Sequence, residues 1–174
     1  MVKPFVALAF FHRVQNEKGF SYGSTSKGKM ERMIQKSDNN ATNWVMKQVG
    51  GPSKVQSILK THYGKIFKQT KIVEYIPGGG RTYKNKASAH DYSRFLYSLW
   101  KSSLPYSKEM RRLMALPGRD RLYNGAPSIP SGTLVYNKTG STAMLCGDMG
   151  ILYPKGKGGK RYAYIIVGIV QKSK

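Results

Sequence analysis

Acidic residues are scarce in this chain. Eight Asp and Glu stand against thirty Lys and Arg, which leaves a net charge of +22. Such a surface repels itself at low salt and attracts polyanions, so nucleic acid, anionic lipid head groups and anionic cell-wall polymers are all candidate partners. The basic residues are spread along the chain instead of forming one arm. That spread favours a generally basic surface over a specific nucleic-acid reader. Cysteine is nearly absent. Cys146 stands alone, which excludes an internal disulfide and a thiolate metal cage. Its strand-like surroundings predict a small buried hydrophobe. His12, His62 and His90 show no metal-ligand spacing with cysteine or acids, so no metal or cofactor is expected. No apolar run is long enough to span a bilayer. Phe5 to Phe11 imitates the core of a signal peptide after Lys3, but it leads into His12-Arg13 without a small-residue cleavage site. A buried helix is the better reading, and no export signal is expected in these residues. Gly78 to Gly80 is not followed by the Lys-Ser/Thr pair of a phosphate loop.

What is present fits one domain. A chain of 174 residues can bury a real core. Val2 to Glu17 reads as a central helix, apolar nearly all round, with Pro4 in its first turn. Gly19 to Gly28 reads as a turn-rich connection. A short helix carrying Met30, Met33 and Ile34 then runs into Ser37. Asn40 to Val49 forms the next helix, stopped by Gly50-Gly51, and Pro52 opens another. Residues 64 to 86 look irregular. Ser88 fits an N-cap for a helix through Trp100, with Asp91 helping its first turn, and Ser107 fits the cap of one more. Trp44 and Trp100 fall on apolar helix faces and read as core. The periodicity then changes. Thr133 to Lys138, Cys146 to Tyr153 and Tyr162 to Gln171 are rich in β-branched and aromatic residues. The expected class is therefore α+β, a mainly helical region over residues 1–115 before antiparallel strands in residues 116–174.

Three short segments carry chemistry. Lys3 lies at the head of the most hydrophobic helix, where burial and nearby positive charge can lower its pKa and make it a base. Ser37-Asp38-Asn39 lies between two helices. Lys138-Thr139-Gly140 ends a predicted strand, where a cation and a hydroxyl can hold a carboxylate and the glycine permits close approach. Each has an ordinary reading taken singly: an exposed lysine, a helix cap and a strand end.

Taken together and in this order, they resemble the S-x-x-K, S-D-N and K-T-G motifs of the penicillin-recognising serine hydrolases, in the class A β-lactamase-like branch. Residues around them, Met33-Ile34-Gln35-Lys36, Asn40-Ala41-Thr42-Asn43-Trp44 and Cys146-Gly147-Asp148-Met149-Gly150, resemble the family too. The resemblance implies a β-lactamase/transpeptidase-like fold and an acyl-enzyme mechanism on β-lactams or related D-alanyl cell-wall peptides. It gives catalytic roles to Lys3, Ser37 and Lys138. It gives substrate-binding roles to Asn39, Thr139 and Gly140, and to the backbone N–H of Ser141 in an oxyanion hole, while Asp38 would brace its loop. It also implies a periplasmic or secreted monomer without cofactors.

Two departures matter. The nucleophilic serine belongs three residues before Lys3, one position ahead of Met1. A truncated or mis-started chain is the preferred explanation. A shortened pseudoenzyme that binds cell-wall peptide or another polyanion through its basic surface is the alternative. The N-terminal strands and C-terminal helix of the fold are also missing, which predicts marginal stability for an isolated partial domain. Ser24 and Lys27 share the S-x-x-K spacing, but their polar, Gly-rich segment does not head a buried helix. The second departure concerns deacylation. Counting back along the loop before Ser88 places the deacylating glutamate near Gln69, and the acid nearest in sequence is Glu74. Either Glu74 or no residue serves deacylation.

Overall fold

The computed structural model describes residues 1–80, 84–115 and 120–172. Six helices precede a three-stranded antiparallel sheet. The helices are α1 (Lys3–Asn16), α2 (Ser24–Gln35), α3 (Asn39–Val49), α4 (Pro52–Tyr63), α5 (Ala89–Trp100) and α6 (Ser107–Ala115). The strands β1 (Leu134–Ser141), β2 (Leu145–Tyr153) and β3 (Tyr164–Gln171) pair in the order β1-β2-β3. No described helix is long and apolar enough to cross a membrane. The last helix ends at Ala115, and residues 116–119, where the expected change from helical to strand-rich chain falls, lie outside the described residues.

Helix α1 is the centre. Every residue from Val2 to Phe11 is buried. Pro4 sits in its first turn, where the missing N–H has no partner to lose. Phe5 packs edge-on against Phe67 at 4.7 Å and Phe95 at 5.1 Å, and stacks on Tyr92 at 5.2 Å. Burying each such side chain contributes about 1.5–3 kcal/mol, an upper figure because the unfolded chain is already partly compact. Met149 and Ile151 of β2 join the same core, so the helical layer and the sheet close on one another.

The corners follow from local chemistry. Asp38 caps α3, its carboxylate accepting from the Ala41 N–H at 2.8 Å. Gly50 ends that helix in the left-handed region (φ 107°), which a side chain would strain, and Pro52 starts α4 two residues on. Ser88 caps α5 as expected, accepting from the Asp91 N–H at 3.1 Å. Trp44 and Trp100 are half-buried and packed against the core rather than inside it.

Several expectations change. The segment 24–28 is the first turn of α2, not a connection, because Ser26 and Met30 bury on the face shared with Met33. Ser107 does not cap α6. It lies inside the first turn and staples back to Leu104, donating to the carbonyl at 2.7 Å and accepting from the N–H at 3.2 Å. Cys146 is exposed, since it falls where β2 begins and the core face of the strand starts one residue later. Asp91 does more than assist a helix start. It is fully buried, accepts from the N–H groups of Lys68 (3.3 Å) and Gln69 (2.9 Å) and the hydroxyl of Thr70 (2.7 Å), and pairs with Arg94.

Burial pushes the Asp91 carboxyl up, but Thr70, the Gln69 N–H and Arg94 outweigh it, and its pKa falls below the ordinary value. A carboxyl depressed in the folded state lends stability above its unfolded pKa and loses it as pH falls through the folded value. Asp91→Ala should cost about 2–4 kcal/mol in urea unfolding, because two N–H groups and a hydroxyl are left without their acceptor. The loss relative to the parent should shrink below about pH 4. A variant as stable as the parent at neutral pH would show that Asp91 does not hold the loop.

Candidate active site

The three motif segments meet although about one hundred residues separate the second from the third. Lys3 reaches the site from the first turn of α1. Its ammonium donates to the carbonyl of Ser37, to the Ser37 hydroxyl at 3.1 Å and to Asn39 Oδ1 at 2.8 Å. Lys138, on β1, donates to the same Ser37 hydroxyl at 3.1 Å and to the carbonyl of Thr139 at 2.7 Å. One hydroxyl therefore lies between two ammonium groups. Ser37 itself is exposed and holds a left-handed backbone (φ 54°), a conformation that non-glycine residues adopt at a local energetic cost. Arg32 pins this turn from below. Its carbonyl accepts from the N–H groups of Lys36 and Asp38, and its guanidinium pairs with the Asp38 carboxylate at 2.5 Å.

Both lysines are buried, Lys3 to 8% exposure and Lys138 to 3%. Burial is the main cause that lowers each pKa to about 8. The charge of Lys138 adds to the effect on Lys3, which Asp38 opposes, and Arg121 adds to the effect on Lys138, which Asp148 opposes. A lysine at that pKa has an appreciable neutral fraction near pH 7 and can take a proton.

The motif Lys138-Thr139-Gly140 lies inside β1 rather than at its end. The strand continues to Ser141, because all three residues pair with β2, Lys138 with Met149, Thr139 with Asp148 and Gly140 with Gly147. Gly140 has an internal reason to be glycine. A Cβ there would stand 2.6 Å from Met1 Cγ and 2.9 Å from Met1 N, and one at Gly147 would stand 2.9 Å from Met1 Cε. The two glycines let the head of α1 rest against the sheet, which sets Lys3 beside Lys138.

Sequence reasoning missed Arg121. Its guanidinium donates to the carbonyls of Gly140 (3.2 Å) and Gly147 (2.8 Å) and to the Ser141 hydroxyl (2.9 Å), while its N–H bonds Asp148 at 2.9 Å. No local pattern marks it, since it comes from an irregular segment. Asn43, in a segment that resembles the family, has no role assigned from the sequence. It lies one turn after Asn39 on α3, and its side chain donates to the carbonyl of Ile76 at 2.8 Å and accepts from the Ile76 N–H at 2.7 Å. The loop position fastened beside the site is thus Ile76, an apolar and buried residue. Gln69, near which the count along the loop placed the deacylating position, is exposed, and its N–H is held by Asp91 of α5. The Glu74 carboxylate accepts from the Lys84 N–H at 3.2 Å, within its own loop.

Ser24 and Lys27 lie in the first turn of α2, at the end away from Ser37, and are exposed. His12 and His62, unrelated in sequence, lie with ring centres 4.2 Å apart and planes tilted by 34°, with His12 Nδ1 2.9 Å from the Tyr63 hydroxyl. Among the described residues no group of three or more His, Cys, Asp or Glu gathers to hold a metal ion.

A family model described as "Beta-lactamase enzyme family" matches residues 18–172. No curated protein matches the sequence. Solved structures similar to this one include a mutant of PBP-A as its acyl-enzyme complex with penicillin G. It is 21% identical with a TM-score of 0.76, and the match covers 98% of this chain and 71% of that one. A class A β-lactamase representative from Bacteroides cellulosilyticus is 19% identical with a TM-score of 0.76, over 99% of this chain and 74% of that one. The TLA-3 extended-spectrum β-lactamase is 19% identical with a TM-score of 0.77, with the same coverage. At these identities the structures show the fold.

The lysine pair has a pH signature. A lysine whose pKa is lowered on folding holds fewer protons than the unfolded chain between the two values, so stability rises with pH from about 8 towards the ordinary lysine value near 10.4. Lys3→Met should flatten the rise between about pH 8 and about pH 9.5, measured as urea midpoints. An equal slope in parent and variant would mean that Lys3 titrates as an ordinary surface lysine.

Proposed function

Because this chain belongs to the β-lactamase enzyme family, whose model matches residues 18–172, we propose that it is a serine hydrolase forming an acyl-enzyme with β-lactams or with D-alanyl peptides of the cell wall. The observation that carries this reading is the Ser37 hydroxyl held at 3.1 Å from both Lys3 and Lys138. In this reading the nucleophile is the serine of S-x-x-K, one position ahead of Met1. Residues 1–174 carry the machinery around that hydroxyl.

The neutral Lys3 amine takes the proton of the nucleophilic hydroxyl as its oxygen bonds the substrate carbonyl carbon. The C–N bond then breaks, and Ser37 passes a proton from the lysines to the departing nitrogen. Lys138 and Thr139 hold the substrate carboxylate. The Ser141 N–H, with that of the nucleophile, receives the oxyanion. Asn39 keeps Lys3 aimed and faces the substrate amide. Hydrolysis of the ester needs a base for water. With Ile76 fastened beside Asn39's helix and Glu74 engaged with the Lys84 N–H, that step is slow, as in a penicillin-binding peptidase.

The test is intact mass after mixing with penicillin G, for residues 1–174 and for a form extended upstream with serine ahead of Met1. The extended form should gain the full mass of penicillin, because the opened ring leaves nothing behind, and should keep it for minutes or longer. Lys3→Ala should slow that addition about 100-fold or more. No adduct on the extended form would sink the hydrolase reading. An adduct on residues 1–174 would move the nucleophile to Ser24 or Ser37. Ile76→Glu in the extended form should shorten the adduct's life at least about tenfold. If instead that change does nothing and Glu74→Gln lengthens the adduct's life, Glu74 is the base.

A further inference from the structure

The loop between α4 and α5 sets like charges against each other. Lys71 and Lys86 stand opposite one another in an antiparallel bridge, each N–H donating to the other's carbonyl at 2.8 Å. Like charges at directly opposed positions destabilise a strand pair. Lys84 lies two residues before Lys86 and Lys68 three before Lys71, and all four are exposed. The nearby acids are engaged within the fold, Asp91 in the core and Glu74 on the Lys84 N–H. Among the described residues every ion pair is made by an arginine.

The loop is nonetheless firmly held. Asp91 grips residues 68–70. Gln56 accepts from the Ile72 N–H at 2.6 Å and donates to the Thr70 carbonyl at 3.2 Å. Asn85 accepts from the Val73 N–H at 2.8 Å and donates to the Glu74 carbonyl at 3.0 Å, and Asn43 fixes Ile76. The anchored backbone holds the repulsive pair together, while its exposed ammonium groups stay in solvent on flexible stems.

We propose that this lysine ladder is a docking surface for a linear phosphate polymer. A chain of closely spaced anions can neutralise both sides of the Lys71–Lys86 bridge at once, and it gains from released counterions. Ammonium groups suit tetrahedral oxyanions singly, without the planar fork that arginine imposes on a carboxylate. The other basic tip, between β2 and β3, also opposes like charges, Lys155 against Arg161, but there the arginine is engaged with backbone carbonyls. There Arg161 donates to the Tyr153 carbonyl at 2.5 Å and Lys160 lies 5.4 Å from the centre of the Tyr162 ring. The loop that carries these lysines also carries Ile76, which Asn43 holds, but docking does not depend on catalysis at the candidate site.

Long-chain inorganic polyphosphate is the probe, titrated against residues 1–174 between about 50 and 200 mM salt. Four lysine contacts to a single-stranded polymer correspond to a slope of about −3 in log affinity against log salt, or about a 50-fold loss over that range. The variant K68Q/K71Q/K84Q/K86Q should lose most of that slope. K155Q/K157Q/K160Q/K172Q, with the same change in net charge, should lose less than about a third of it. Thermal unfolding should place the ladder variant at or above the parent, since opposed charges have been removed. If it does not fold, K71Q and K86Q are read singly, each reducing the slope by about 0.7. Equal losses in the two quadruple variants would overturn the assignment in favour of general charge. Tighter binding of polyglutamate of equal charge would overturn the phosphate preference.

Discussion

The candidate site rests on the burial of α1. From Val2 to Phe11 that helix is covered on every side, and the other helices and the sheet supply the cover. Its one buried cation, Lys3, sits in the first turn. Once α1 is driven inward, Lys3 has to find acceptors near its own end, and the available ones are the Ser37 carbonyl and hydroxyl and the Asn39 amide. Hydrophobic burial thus fixes a polar geometry that no local preference specifies. Gly140 and Gly147 are the sheet's part of the arrangement, because a methyl group at either would push the head of α1 away.

A second class of contact holds what the core cannot. Residues 64–80 and 84–88 contain little regular structure, and a loop of that length is ordered only if its backbone groups find partners. Side chains that provide them include Asp91 from α5, Gln56 from α4, Asn43 from α3 and Asn85 from the loop itself. Each turns an amide or carboxylate inward to stand in for a strand neighbour. Among these contacts, that of Asn43 ties Ile76 to the helix that carries Asn39.

The parts of this architecture that were legible in the sequence are those encoded locally. The apolar run of α1, the Ser88 cap, the Gly50-Gly51-Pro52 corner and the β-branched strands each follow from short-range physics. The three motif segments were legible as patterns, though nothing in their sequence shows them touching. Other features depend on tertiary context. The first turn of α2 is Ser- and Gly-rich and reads as loop, because its helical state comes from burying Ser26 and Met30. The strand β1 runs past Lys138 because β2 pairs with Thr139 and Gly140, although strand propensity is weak for glycine. Cys146 has a strand-like neighbourhood but lies just outside the covered part of β2. Asp91 looked like an ordinary first-turn acid because its partners come from a loop about twenty residues earlier.

Charge links these observations. With few acids available, the fold assigns them to backbone N–H groups and to arginines, whose fork holds a carboxylate in two places at once. Asp38 braces the Ser37 turn through Arg32, Asp91 braces the long loop with Arg94, and Glu31 and Glu109 meet on Arg112 between α2 and α6. The lysines are left to solvent or, for Lys3 and Lys138, to burial without a carboxylate contact. In most proteins a buried lysine is a liability that a carboxylate neutralises. Here the neighbouring groups are a hydroxyl, an amide oxygen and backbone carbonyls, all neutral acceptors. A carboxylate in their place would restore both ammonium groups to an ordinary pKa and remove the base. The acid-poor composition and the proton-accepting capacity of the site are therefore consistent parts of one electrostatic design, since among the described residues no carboxylate forms an ion pair with either ammonium group.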